Sequence, residues 1–200
     1  MAKKQVIVIH GGSSFGQYED YINYLKTCDL TLESMKSGKG GWKNSLQKDL
    51  GDDFEVLLPQ MPNPRNAKYL EWRLWFERIL GVLDKEIILI GHSLGGMFLL
   101  KYLEESKIDK KIVQLHLVAT PCNEPEKHYL QEFGLPGSFD NVKKQTAKIF
   151  FYFSEDDAIV PIETVNFFKV KFSEAEFVLF SDRGHFKQAV FPELIKNIKE

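Results

Sequence analysis

Hydrophobic positions in this chain come as short continuous runs separated by longer stretches with helical spacing. Val6-Ile7-Val8-Ile9 leads straight into His10-Gly11-Gly12, the pattern of a strand covered on both faces that ends in a turn. The pattern recurs at Glu86 to Ile90 before Gly91, at Ile112 to Val118 before Ala119-Thr120-Pro121, and at Ala147 to Phe153 before Ser154. Phe54 to Leu58 and Glu176 to Phe180 add two more, so about six strands are expected.

Helical spacing fills the intervals. Tyr69 to Leu83 carries Leu70, Leu74, Trp75, Ile79, Leu80 and Leu83 at a period close to 3.6, and Met97 to Leu103, Val165 to Phe172 and Gln188 to Ile198 read the same way. Tyr18 to Leu25 and Trp42 to Leu50 are two further helices, with Ser37-Gly38-Lys39-Gly40-Gly41 as a loop between them. Asn123 to Lys144 holds Pro125, Gly134, Pro136 and Gly137 and is expected to form only short helices. Strand and helix alternate throughout. The expected fold class is therefore α/β: a three-layer sandwich with a mostly parallel sheet, helices on both faces, right-handed crossovers and ligands at the carboxyl edge of the strands.

Length and charge bound the rest. Two hundred residues suit one domain spanning 1–200. A formal charge of -2, from 26 basic and 28 acidic residues, leaves no positive field to attract nucleic acid or anionic lipid. The basic run Lys107 to Lys111 reads as a solvated turn. Cys28 and Cys122 lie far apart and outside any CxxC pair, and no apolar segment has the length of a signal peptide or a membrane span, so a reducing, cytoplasmic location is expected. No HExxH, GxxxxGK[ST] or GxGxxG occurs, and the expected chemistry uses no metal or cofactor.

Candidate chemistry centres on Gly91-His92-Ser93-Leu94-Gly95-Gly96, a GxSxG sequence between a predicted strand and a predicted helix. A serine on such a turn takes a strained backbone, and its flanking glycines let neighbouring chains pass. A serine nucleophile needs a base oriented by an acid. Ser154-Glu155-Asp156-Asp157 follows a strand and precedes the Val160-Pro161 helix start, and Asp157 is the chosen acid, with Asp156 as the alternative. His185, after Gly184 on the loop beyond the last strand, is the candidate base. Of the five histidines, His116 is expected in the core, His128 at a solvent-facing loop, and His92 packed beside the serine. The backbone N–H of Leu94 and that of Gly12, or alternatively Ser13, are the candidate oxyanion donors. Phe15, Tyr18, Trp42, Trp72 and Trp75 are read as core rather than pocket residues, and Met61-Pro62-Asn63-Pro64 as one possible rim.

These four signals, in this order, resemble the α/β-hydrolase superfamily over nearly the whole chain. The short interval between Val118 and Ala147 leaves no room for a large cap, and the sequence looks like the small serine hydrolases related to retinoblastoma-binding protein 9 and YdeN. It differs from them in a longer 13–51 segment. The resemblance implies hydrolysis of an ester or related acyl bond of a small-molecule substrate through an acyl-enzyme. A catalytically weak binding protein on the same fold, or action on a thioester, amide or peptide, is the alternative. Nothing in the sequence names a protein partner.

Overall fold

The structure, a computed structural model, describes residues 3–30, 32, 41–123 and 128–200. The expected loop at 37–40 lies outside them, as does the side chain of His128. Six parallel strands form one sheet in the order β2-β1-β3-β4-β5-β6: β1 (Lys4–Ile9), β2 (Phe54–Leu57), β3 (Glu86–His92), β4 (Lys111–Val118), β5 (Thr146–Ser154) and β6 (Glu176–Phe180).

Alternate strand residues face opposite sides, and both sides are covered. On one, Ile7, Leu89, Leu117 and Phe151 pack under α3 (Tyr69–Val82), α4 (Leu94–Glu105), α5 (Asp140–Gln145) and α6 (Thr164–Lys171). On the other, Val6, Val8, Ile88, Ile90 and Tyr152 pack under α2 (Trp42–Leu50) and α7 (Pro192–Lys199). Helix α1 (Tyr18–Thr27) buries none of its residues. A 3-10 helix (His128–Phe133) and α5 are the short helices expected between β4 and β5.

Three expectations need correction. Tyr18, expected in the core, is exposed. In α3 the buried residues are Trp72, Phe76 and Leu80, whereas Leu70, Leu74 and Trp75 are exposed. The helix is apolar on most sides, so spacing alone left its phase open, and the aromatic side chains, with more area to remove from water, took the core. The last helix starts at Pro192, not Gln188. Proline suits a first helical turn, and the carbonyls of Gln188 and Ala189 are engaged elsewhere, by the Trp42 N–H and the Ser45 hydroxyl.

His116 lies in β4, fully buried and stacked on Phe150 at 4.7 Å. Asn197 Nδ2 donates to the Tyr152 hydroxyl (2.9 Å), which donates to His116 Nδ1 (2.9 Å); His116 Nε2 donates to Gln114 Oε1 (3.0 Å), and Gln114 Nε2 closes the ring on the Asn197 carbonyl (3.0 Å). Burial holds this imidazole neutral, with its pKa pushed down to about 3 from 6.5. The unfolded chain therefore binds a proton here that the folded one refuses. Stability contributed by the neutral ring is fully present above about 6.5 and is lost as pH falls toward about 3. Urea midpoints are expected to drop between pH 7 and 4, by the equivalent of about 2–3 kcal/mol from this residue, and the slope is expected to be shallower in His116→Gln.

The strand order reverses at β1, whose neighbours β2 and β3 are reached by connections running in opposite directions. The carboxyl ends of β1 and β3 therefore face a crevice, and the loops leaving them build the site.

Candidate active site

Ser93 follows β3 and caps α4 with φ 55° and ψ -124°, a backbone conformation that L-residues rarely adopt. Its N–H is fixed to the Val118 carbonyl at 2.8 Å. The turn closes because no side chain stands in its way. A Cβ on Gly91 would lie 2.6 Å from Gly96 Cα, and one on Gly95 would overlap the Ile9 carbonyl at the end of β1. The glycines expected beside Ser93 are thus required by backbone contact.

His185 stands on the loop after β6, with Nδ1 2.8 Å from Asp157 Oδ2. A carboxylate accepts, so Nδ1 carries the proton and Nε2 keeps its lone pair. The Asp157 side chain is only 2% exposed, and its other oxygen accepts the N–H groups of Ile159 (2.8 Å) and Val160 (3.1 Å). Asp156 points elsewhere. Its Oδ1 accepts the Ser154 hydroxyl (2.5 Å) and the Gly184 N–H (2.7 Å), and these bonds, the hydroxyl first, hold its carboxyl below the usual range. Asp156 thereby ties the loop after β5 to the one that carries His185. The two acids open in the sequence have separated: one faces the imidazole, the other fastens the loop.

A cavity of about 470 Å³ contains Ser93 and His185, with His10, Gly11, Gly12, Ser13, Lys43 and His92 on its polar side and Leu94, Pro121, Leu130 and Ile159 on its apolar side. Leu94 is the first residue of α4, so its N–H has no partner within the helix. A Cβ on Gly12 would meet the Pro64 carbonyl at 2.7 Å, and that same carbonyl accepts the Ser13 N–H at 2.9 Å. The Met61 to Pro64 segment does not line the cavity; it braces the loop from behind, with the Met61 N–H on His10 Nε2 (2.9 Å). His10 Nδ1 donates to the Gly11 carbonyl, and burial lowers its pKa.

Two contributors were invisible in the sequence. Trp42, expected in the core, is indeed buried, and its indole N–H bonds the Phe186 carbonyl (3.1 Å) while its backbone N–H bonds that of Gln188 (2.7 Å), so the start of α2 grips the His185 loop. Lys43 places its ammonium 3.0 Å from His92 Nδ1. An ammonium only donates, so His92 Nδ1 accepts, and His92 Nε2 donates to the His185 carbonyl at 3.1 Å. Burial, and then the Lys43 charge, keep His92 neutral, with its pKa well below 6.5. No motif marks either residue, because each acts through a contact distant in sequence.

Comparison with known proteins agrees with this geometry. A sequence profile of the serine hydrolase family matches residues 34–191. Serine hydrolase RBBP9 of Rattus norvegicus is 26% identical over 161 residues, 80% of this chain and 85% of that protein. YdeN of Bacillus subtilis (strain 168) is 31% identical over 132 residues, 62% of this chain and 67% of its own. The crystal structure of the ydeN gene product superposes with a TM-score of 0.74 at 22% identity, covering 98% of this chain and 97% of that one. The chain belongs to the serine hydrolase family and has the α/β-hydrolase fold of its RBBP9- and YdeN-like members.

Proposed function

We propose that the protein hydrolyses an ester or related acyl bond of a small molecule through a Ser93-His185-Asp157 triad. The observation that carries this reading is the 2.8 Å pairing of His185 Nδ1 with the buried Asp157, which leaves Nε2 as a base in the cavity that also holds Ser93. His185 Nε2 takes the Ser93 hydroxyl proton as Oγ attacks the carbonyl carbon. The oxyanion is received by the N–H of Leu94 and that of Gly12, since the Ser13 N–H is already committed to Pro64. The leaving oxygen departs with the proton from His185. His185 then deprotonates a water that attacks the acyl-enzyme, releasing the acid and restoring Ser93.

Reaction of the intact protein with a fluorophosphonate probe, followed by peptide mass spectrometry, is expected to place the adduct on Ser93. An adduct on another residue would falsify the assignment of the nucleophile, and no adduct at all would favour a binding protein. Turnover of p-nitrophenyl esters then separates ester cleavage from action on acyl thioesters or aminoacyl amides, offered in parallel.

A further inference from the structure

The hydrolase reading leaves one charged group in the cavity unused. Lys43 stands in the first turn of α2, its Nζ 5.5 Å from the centre of the Trp42 ring, and reaches the cavity wall beside His92. One hydrogen of its ammonium is satisfied by His92 Nδ1; an ammonium has three to give. No aspartate or glutamate lines the cavity among the described residues, and the imidazoles around it belong to His10, His92 and His185. A partly desolvated cation facing only neutral acceptors is costly, and an anion entering from solution would offset that cost. The position is close to the chemistry. A point one bond above Gly11 Cα lies 3.1 Å from Ser93 Cβ and 3.4 Å from His92 Nδ1, the same nitrogen that Lys43 contacts.

Resting on the hydrolase reading above, we propose that Lys43 is a specificity-determining residue whose ammonium receives a carboxylate carried by the ester substrate. The cavity thus selects acyl compounds with a free acid group, on either the acyl or the leaving-group side of the scissile bond. Leu130, Ile159 and Pro121 form the apolar wall along which the connecting carbons lie.

Two consequences distinguish this role from mere support of His92. The first is a ratio. Wild type is expected to favour the mono-p-nitrophenyl ester of adipic acid over p-nitrophenyl hexanoate, or p-acetoxybenzoate over phenyl acetate, in kcat/KM; which pair shows the preference locates the carboxylate. Lys43→Met is expected to lower that ratio about thirtyfold, the range of a charge-assisted hydrogen bond, and Lys43→Arg to keep most of it. The second is its pH dependence. Burial pushes Lys43 down to about 8, so the preference is present below that pH and lost above it as the ammonium deprotonates. The imidazoles of His10, His92 and His185 face Lys43 in the cavity, and taking a ratio cancels any pH effect common to both esters. In Lys43→Arg the preference is expected to persist above pH 8.

Proportionate losses on charged and neutral esters in Lys43→Met, with the ratio unchanged, would mean that Lys43 only holds His92 and would overturn the proposal. Calorimetric titration of Ser93→Ala with monomethyl adipate removes the dependence on turnover. Binding there that disappears in Ser93→Ala/Lys43→Met supports the carboxylate site even if no ester is hydrolysed, in which case the hydrolase reading alone falls. Equal binding with and without Lys43, or none in either, overturns the site whatever the esters do.

Discussion

Asp157→Asn is expected to cut kcat by about four orders of magnitude while leaving the fold intact, an effect close to that of losing the nucleophile. The asparagine fits the same space, but its amide can present nitrogen to His185 Nδ1. The ring then turns its proton toward Ser93 and can no longer accept one. Asp157 Oδ1 is already held by two backbone N–H groups, so the oxygen end of the amide has a reason to stay there and the nitrogen end to face the imidazole. Asp156→Asn is the control that makes the result specific. That residue contacts Ser154 and Gly184, not the ring, and its loss is expected to loosen the loop and lower Tm, with a far smaller change in kcat. Steady-state kinetics on a p-nitrophenyl ester for both variants decides it; equal losses would return the acid to Asp156.

Trp42→Ala carries the largest expected effect on stability, about 3–5 kcal/mol by urea denaturation. The side chain is 1% exposed and packs edge-on against Phe191 at 5.7 Å, so truncation leaves a cavity between α2 and the last loop. Activity is expected to fall as well, by about a hundredfold, because the indole N–H and the backbone of the same residue fix the carbonyls of Phe186 and Gln188, just after His185 on its loop. Trp42→Phe separates the two causes. It restores most of the packing but not the bond to Phe186, so stability is expected to recover more than kcat does. Matching recovery of both would mean that the loop is held by packing alone.

Strand positions were legible to within a residue or two because the inner strands, covered on both faces, write themselves as largely apolar runs, and the half-exposed edge strands β2 and β6 are still rich in β-branched and aromatic residues. The phase of α3 was not, since a helix with apolar residues on every side leaves its inward face to tertiary packing. Within the site, Ser93 and His185 could be read from local sequence: a glycine-flanked turn and a histidine beyond the last strand. The choice between Asp156 and Asp157 rested on less, because adjacent carboxylates differ only in where the loop aims them, and that is set by Ser154, Gly184 and the N–H groups of Ile159 and Val160. Trp42 bonds a loop residue 144 positions away and Lys43 a histidine 49 positions away, both beyond the reach of any motif.

The glycine contacts at the turn around Ser93 also divide the surroundings of the cavity into parts fixed by backbone contact and parts built from side chains. Gly95 rests on the carbonyls of Ile9 and His10 at the end of β1 and Gly12 on that of Pro64, so the Ser93 turn and the loop after β1 are registered main chain to main chain. Pro121, Leu130 and Ile159, from the connections beyond β4 and β5, supply side chains to the cavity lining. Under the proposed hydrolysis, substrate range changes with single substitutions among these side chains while Ser93 and His185 keep their spacing, and redesign of acyl preference is best begun there.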